Sequence, residues 1–102
     1  MGITARLESE SGEEIQRVED PANVLHRALP EPGCSEFQWA NTIDWYGDTV
    51  FNHLQAALLR KEWAILIENA TDKVTKEVLK RIDGLFQKCA SGDHLYVKFY
   101  GV

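Results

Sequence analysis

The chain has 102 residues, 44% hydrophobic and 26% charged, with 16 acids, 11 bases and a net charge of −5. These values exclude a disordered or collagen-like chain and predict one compact domain over residues 1–102, with little apolar area to spare beyond one core. The charge is uneven: residues 1–51 hold ten acids and three bases (−7), and residues 52–102 hold six acids and eight bases (+2), which disfavours phosphate binding by the first half and suits a basic partner or a second copy of the chain.

Two cysteines, Cys34 and Cys89, form no CxxC pair, and the opening MGITARLESESGEE turns acidic at once. Both features predict reduced thiols in a cytoplasmic protein, with Cys89 in the core and Cys34 in an exposed Pro/Gly turn. No apolar run is long enough to cross a membrane.

In chain order, ITARLE puts Ile3, Ala5 and Leu7 on one face, and EIQRV follows a turn at Gly12. The pattern predicts a β-hairpin with a bulge or an early end to its second strand. EDPANVLHRALPEPG reads as a short helix, with Asp20 as N-cap, Pro21 at the first position and Pro30 as the stop. SEFQWANTIDWYG places Phe37, Trp39, Ile43 and Trp45 on one face at a two-residue period, so one or two short extended pieces are expected, ending at Gly47.

Two long helices come next. The first is expected over 49–68, capped by Asp48, with Val50, Phe51, Leu54, Ala57, Leu58 and Ile65 as its apolar face. Leu59, Trp63, Leu66 and Ile67 add a second apolar side, which predicts packing on two sides or an interface. After NATD, a second helix over 72–89 is capped by Thr71 or Asp72 and buries Val74, Val78, Leu79, Ile82, Leu85, Phe86 and Cys89. HLYVKFYGV then alternates cleanly, with Leu95, Val97 and Phe99 on one side and Tyr96, Lys98 and Tyr100 on the other. The order is roughly β-β-α-β-α-α-β. It predicts an α+β domain with two long helices on one face of a three- or four-stranded sheet.

The residues that carry chemistry form no strong pattern. His26, His53 and His94 belong to no HxH, HxxxH or HExxH motif, so no metal or cofactor is expected. No serine sits in a G-x-S-x-G elbow, and the glycines match neither GxGxxG nor a P-loop. Lys73, Lys76 and Lys80 share a helix face, but Glu77 interrupts them, and a solvated face explains them better than nucleic acid.

What stands out is an aromatic and acidic cluster. Trp39, Trp45, Tyr46 and Phe51 lie within thirteen residues of one another, beside Asp44 and Asp48. Phe51 and one tryptophan are expected inside. Tryptophan and tyrosine at a partly buried surface concentrate binding energy. The candidate interface residues are Asp44, Trp45, Tyr46, Asp48, Trp63, Tyr96, Lys98 and Tyr100. The favoured reading is a non-enzymatic protein-interaction module: an acidic stoichiometric inhibitor or neutraliser of a basic partner, or a self-associating dimer. The alternative is a small enzyme or small-molecule binder with a pocket of Trp39, Asp44, Asp48 and His53. A homo-oligomer would expose a broad apolar patch of Leu59, Trp63 and Ile67.

Overall fold

A computed structural model describes residues 2–31 and 35–101. The expectations for Cys34 and its turn lie outside the described residues. Four antiparallel strands, β1 (Thr4–Ser9), β2 (Glu14–Val18), β3 (Asp48–Phe51) and β4 (Leu95–Tyr100), form one sheet in the order β2-β1-β4-β3. Helices α2 (His53–Asn69) and α3 (Lys73–Ser91) pack on one face of it, and α1 (Leu25–Ala28) is a single short turn. The sequence-predicted α+β order therefore holds, with four strands rather than three.

The hairpin forms as expected. Ile3, Ala5 and Leu7 are buried, Gly12 takes a φ of 88° in the turn, and the register slips between Leu7 and Glu8. The slip is the predicted bulge, and it leaves Ile15 exposed. The alternation of β4 holds as well, with Val97 and Phe99 buried beneath the helices.

Three boundaries differ from expectation. Asp20 does not start a helix at Pro21. Asn23 adopts a left-handed φ of 57°, which breaks the helical run and delays α1 to Leu25. The buried Asp20 carboxylate still acts as an acceptor at a distance, taking the amides of Val24 at 2.9 Å and Leu25 at 2.8 Å. Between residues 36 and 46 the chain makes turns and a 3-10 turn (Ala40–Thr42) in place of a strand. Its amides bond a side chain and not a neighbouring strand: the Glu62 carboxylate accepts from Trp39 N at 3.2 Å and Ala40 N at 2.9 Å. Finally, Asp48 is not a helix cap. Asp48–Phe51 pairs with β4, and α2 begins four residues later. Asn52 and Gln55 form a reciprocal capping box there, each bond 2.9 Å long. Asp72 caps α3 as expected, its side chain accepting from Thr75 N at 3.0 Å.

The buried face of α2 is the second of its two apolar stripes: Ala56, Leu59, Trp63 and Leu66. Trp63 is wholly buried. Its indole N–H donates to the Leu79 carbonyl at 2.8 Å, and its ring meets Phe86 edge-on at 5.0 Å and Phe99 at 6.1 Å. Trp63 is thus a core residue and not an interface residue, and with Leu59 buried and Ile67 half-buried the expected patch does not exist. Val50 and Phe51, the first residues of the expected face, belong to a strand. Leu54, Leu58 and Ile65 point to solvent instead. Phe51 is inside, while Trp39 and Trp45 are half-buried against the core.

Cys89 is a buried free thiol that donates to the Leu95 carbonyl at 3.3 Å, and burial pushes its pKa up to about 11. The thiolate is the reactive form, so alkylation of Cys89 at pH near 8 is expected to run about 100-fold slower than that of a free cysteine. Peptide mapping after iodoacetamide treatment, native against urea-unfolded, checks this. Equal labelling in both states would contradict the burial. Because the folded pKa is raised, this thiol's contribution to stability is intact below the unfolded value. It is lost as pH climbs toward about 11.

Candidate interaction surface

With α2 and α3 on one face of the sheet, its other face carries the alternate residues of each strand. Register places Arg17 opposite Arg6, Arg6 opposite Lys98, and Lys98 opposite Val50. On either side of that row, Glu8 stands opposite Tyr96, and Tyr100 stands between Thr4 and Asp48. No helix of the described residues covers this face.

The charges on it are paired internally. Glu8 is only 7% exposed, and its carboxylate accepts a hydrogen bond from the Tyr100 hydroxyl. Arg6 Nε lies 3.2 Å from Glu8 and 2.9 Å from Glu14, at angles that make no hydrogen bond, so the attraction is Coulombic. The Arg6 guanidinium carbon lies 5.1 Å from the centre of the Tyr100 ring, and Lys98 Nζ lies 4.8 Å from it. Lys98 Nζ also stands 3.9 Å from the Asp48 carboxylate. Burial, then the bond to Glu8, holds the Tyr100 phenol above its usual range, so it stays a proton donor. Arg17 bonds Glu14 at 2.6 Å, which lowers the Glu14 pKa.

The edge of this face is continued by the loop before β3. Asp44 folds back on itself, its carboxylate accepting from Tyr46 N at 2.9 Å, while its own amide donates to Thr49 Oγ1 at 2.9 Å. That turn leaves Tyr46 76% exposed. Gly101 N donates to the Gly47 carbonyl at 2.8 Å, which seats the loop on the end of β4. Only glycine fits there, because a Cβ at residue 101 would lie 2.5 Å from Gly47 N and 2.6 Å from the Trp45 carbonyl. Trp45 turns inward and meets the His26 ring edge-on at 5.2 Å.

The sequence-predicted residues therefore divide. Tyr96, Lys98, Tyr100 and Asp48 share the open sheet face, with Asp44 and Tyr46 at its edge. Trp45 is half-buried behind them, and Trp63 is in the core. The alternative set does not converge. Trp39 lies over α2, Asp48 is on the open face, and the exposed His53 opens α2 on the opposite side of the sheet. Neither these three nor Asp44, the fourth of the set, lines any of three concavities among the described residues. One of the three, of about 260 Å³, does lie on the open face, between Glu8, Glu10, Val50, Tyr96 and Lys98. Among the described residues, no group of three or more His, Cys, Asp or Glu side chains is placed to hold a metal ion. No helix among the described residues is long and apolar enough to cross a membrane.

Arg6, Glu8 and Val50 were missed as site residues. The alternation in ITARLE does put Arg6 and Glu8 opposite the core positions, but which strand they lie beside is decided by a pairing between the two ends of the chain. No family model matches this sequence, and neither a curated protein nor a solved structure matches it.

Proposed function

We propose that the protein is a non-enzymatic interaction module that docks another protein on the open face of its sheet. One observation supports this reading above the others: half of a two-layer fold is uncovered. The uncovered face presents Tyr96, Tyr100 and Val50 among charges that are already paired. Tyrosine on a rigid strand offers large contact area at low entropic cost, and pre-paired charges need no rearrangement on binding. A basic partner fits best. The chain carries a net charge of −5, and the loop edge adds Asp44 to a sheet face on which Arg6, Arg17 and Lys98 are already matched by Glu8, Glu14 and Asp48. An acidic stoichiometric neutraliser acting in the cytoplasm has this design.

The test is native mass spectrometry of the protein recovered from its own cells at low and moderate salt. A stoichiometric complex with a basic protein, weakened by salt, is expected. With that partner purified, Tyr96→Ala is expected to weaken binding about 30-fold, and Asp48→Lys to slow association. Retention of full affinity by Tyr96→Ala and Val50→Asp would remove the sheet face from the interface.

A further inference from the structure

The concavity of about 260 Å³ on the open sheet face has an apolar end and an acidic end. Val50, 52% exposed, and Tyr96 supply apolar surface from β3 and β4. Glu8 and Glu10 supply carboxylates from β1 and the turn after it. Register sets Glu8 opposite Tyr96 and Val50 opposite Lys98, so the concavity runs diagonally across β4.

Glu8 decides what can bind there. Its side chain is only 9% exposed. One oxygen, Oε2, accepts the Tyr100 hydroxyl and faces Arg6 Nε at 3.2 Å. The other, Oε1, has no hydrogen bond among the described residues, yet it is not sealed from solvent. Glu8 lines the concavity, and there this unfilled acceptor meets water. Glu10 has only His94 Nδ1 beside it, at 3.4 Å, a contact that attracts only when the imidazole is protonated. Lys98 also lines the concavity, but its ammonium is engaged by the Tyr100 ring at 4.8 Å and by Asp48 at 3.9 Å, neither of which is part of the lining. Its stem is left as a wall.

We infer that this concavity is the anchor site for one basic side chain, lysine or arginine, of the docked protein. The stem of that side chain lies across Val50, Tyr96 and the Lys98 stem, and its head donates to Glu8 Oε1 and to Glu10. A cation there gains charge-assisted hydrogen bonds. A neutral group would displace water and strand Glu8 Oε1, and an acidic one would be repelled, so the site selects by charge. Its volume fits one long side chain and falls below the roughly 300 Å³ at which pockets for drug-sized ligands begin. The inference rests on the docking face proposed above and names the residue type of the partner that this face grips.

The test uses the isolated protein, isotope-labelled and followed by amide NMR. The probes are N-acetyl-arginine methylamide and N-acetyl-lysine methylamide, with the uncharged citrulline and norleucine analogues as controls. Each basic probe is expected to shift the signals of Glu8, Glu10, Val50 and Tyr96 saturably, with a Kd of about 1–10 mM. The uncharged analogues are expected to bind at least about fivefold more weakly. Glu10→Gln is expected to weaken the basic probes about threefold, and Val50→Lys, which sets an ammonium over the concavity, about tenfold. Both positions are exposed, and the spectrum itself shows that each variant keeps its fold. Saturation by one basic probe and not the other would support the site and identify the anchor residue. No saturable shift below about 50 mM, or equal binding by the uncharged analogues, would overturn it. Once a partner is in hand the two readings separate. A partner weakened by Tyr96→Ala but indifferent to Glu10→Gln and Val50→Lys would overturn the anchor and leave the docking face standing.

Discussion

Trp63→Ala is expected to remove a large part of the domain's stability. The indole is wholly buried and packs edge-on against Phe86 at 5.0 Å and near Phe99 at 6.1 Å, joining α2, α3 and the sheet. Truncating a buried tryptophan costs about 3–5 kcal/mol through lost transfer energy and the cavity left behind. A domain of this size holds about 5–15 kcal/mol in total. Phe86 and Phe99 also contact each other at 6.0 Å, and neither can move into the gap without breaking that contact. In urea, followed by far-UV circular dichroism, the midpoint is expected to fall by about 2 M. Trp63→Phe should recover most of the loss, since it keeps much of the volume and gives up only the 2.8 Å bond to the Leu79 carbonyl. A Trp63→Ala midpoint within about 0.5 M of the original would place the tryptophan outside the core.

Asp20→Ala is the second large effect. Asp20 is buried at 3% exposure, and its two carboxylate oxygens accept separate amides, Val24 at 2.9 Å and Leu25 at 2.8 Å. The substitution leaves both N–H groups buried beside a methyl group. A hydrogen bond to a charged group contributes about 1.5–3 kcal/mol, and a stranded buried donor costs on the same scale. The total expected is about 3 kcal/mol, or a fall of about 10–20 °C in Tm. α1 spans only four residues and makes no side-chain cap of its own, so beside the burial of Val24, Leu25 and Leu29 the Asp20 carboxylate is what holds its first amides. Asp20→Asn keeps one acceptor oxygen and should fall between the two. Thermal melts of the three proteins check the order. An alanine variant that melts with the parent would mean that water replaces the carboxylate.

Much of this fold was legible in the residues. The alternation of HLYVKFY placed Tyr96, Lys98 and Tyr100 away from the core, and they are on the open face. The stripe of α3 is buried from Val78 to Cys89 as its spacing predicts, although Val74 at its start is exposed. The errors cluster where two local patterns compete. Asp48 and Asn52 are both good caps, and Asn52 prevails because Asp48–Phe51 gains a strand partner in β4. The 36–46 segment has a two-residue period, yet the Glu62 carboxylate captures its amides from a helix 22 residues away.

Local sequence determined what kinds of element this chain makes, because periodicity, caps and turn residues act over a few neighbouring positions. It also determined that the first half is acidic and that β4 has one wet face. Tertiary structure alone decided which stripe of α2 is buried. Both stripes have helical spacing, and only the shape of the space between sheet and α3 selects Trp63 over Leu58 and Ile65. The Glu8–Tyr100 bond, which joins residues 92 apart, was likewise decided by the pairing of β1 with β4. No local pattern encodes the pairing of strands from opposite ends of a chain. It comes from the packing of the whole core, and with it comes the face on which the proposed function rests.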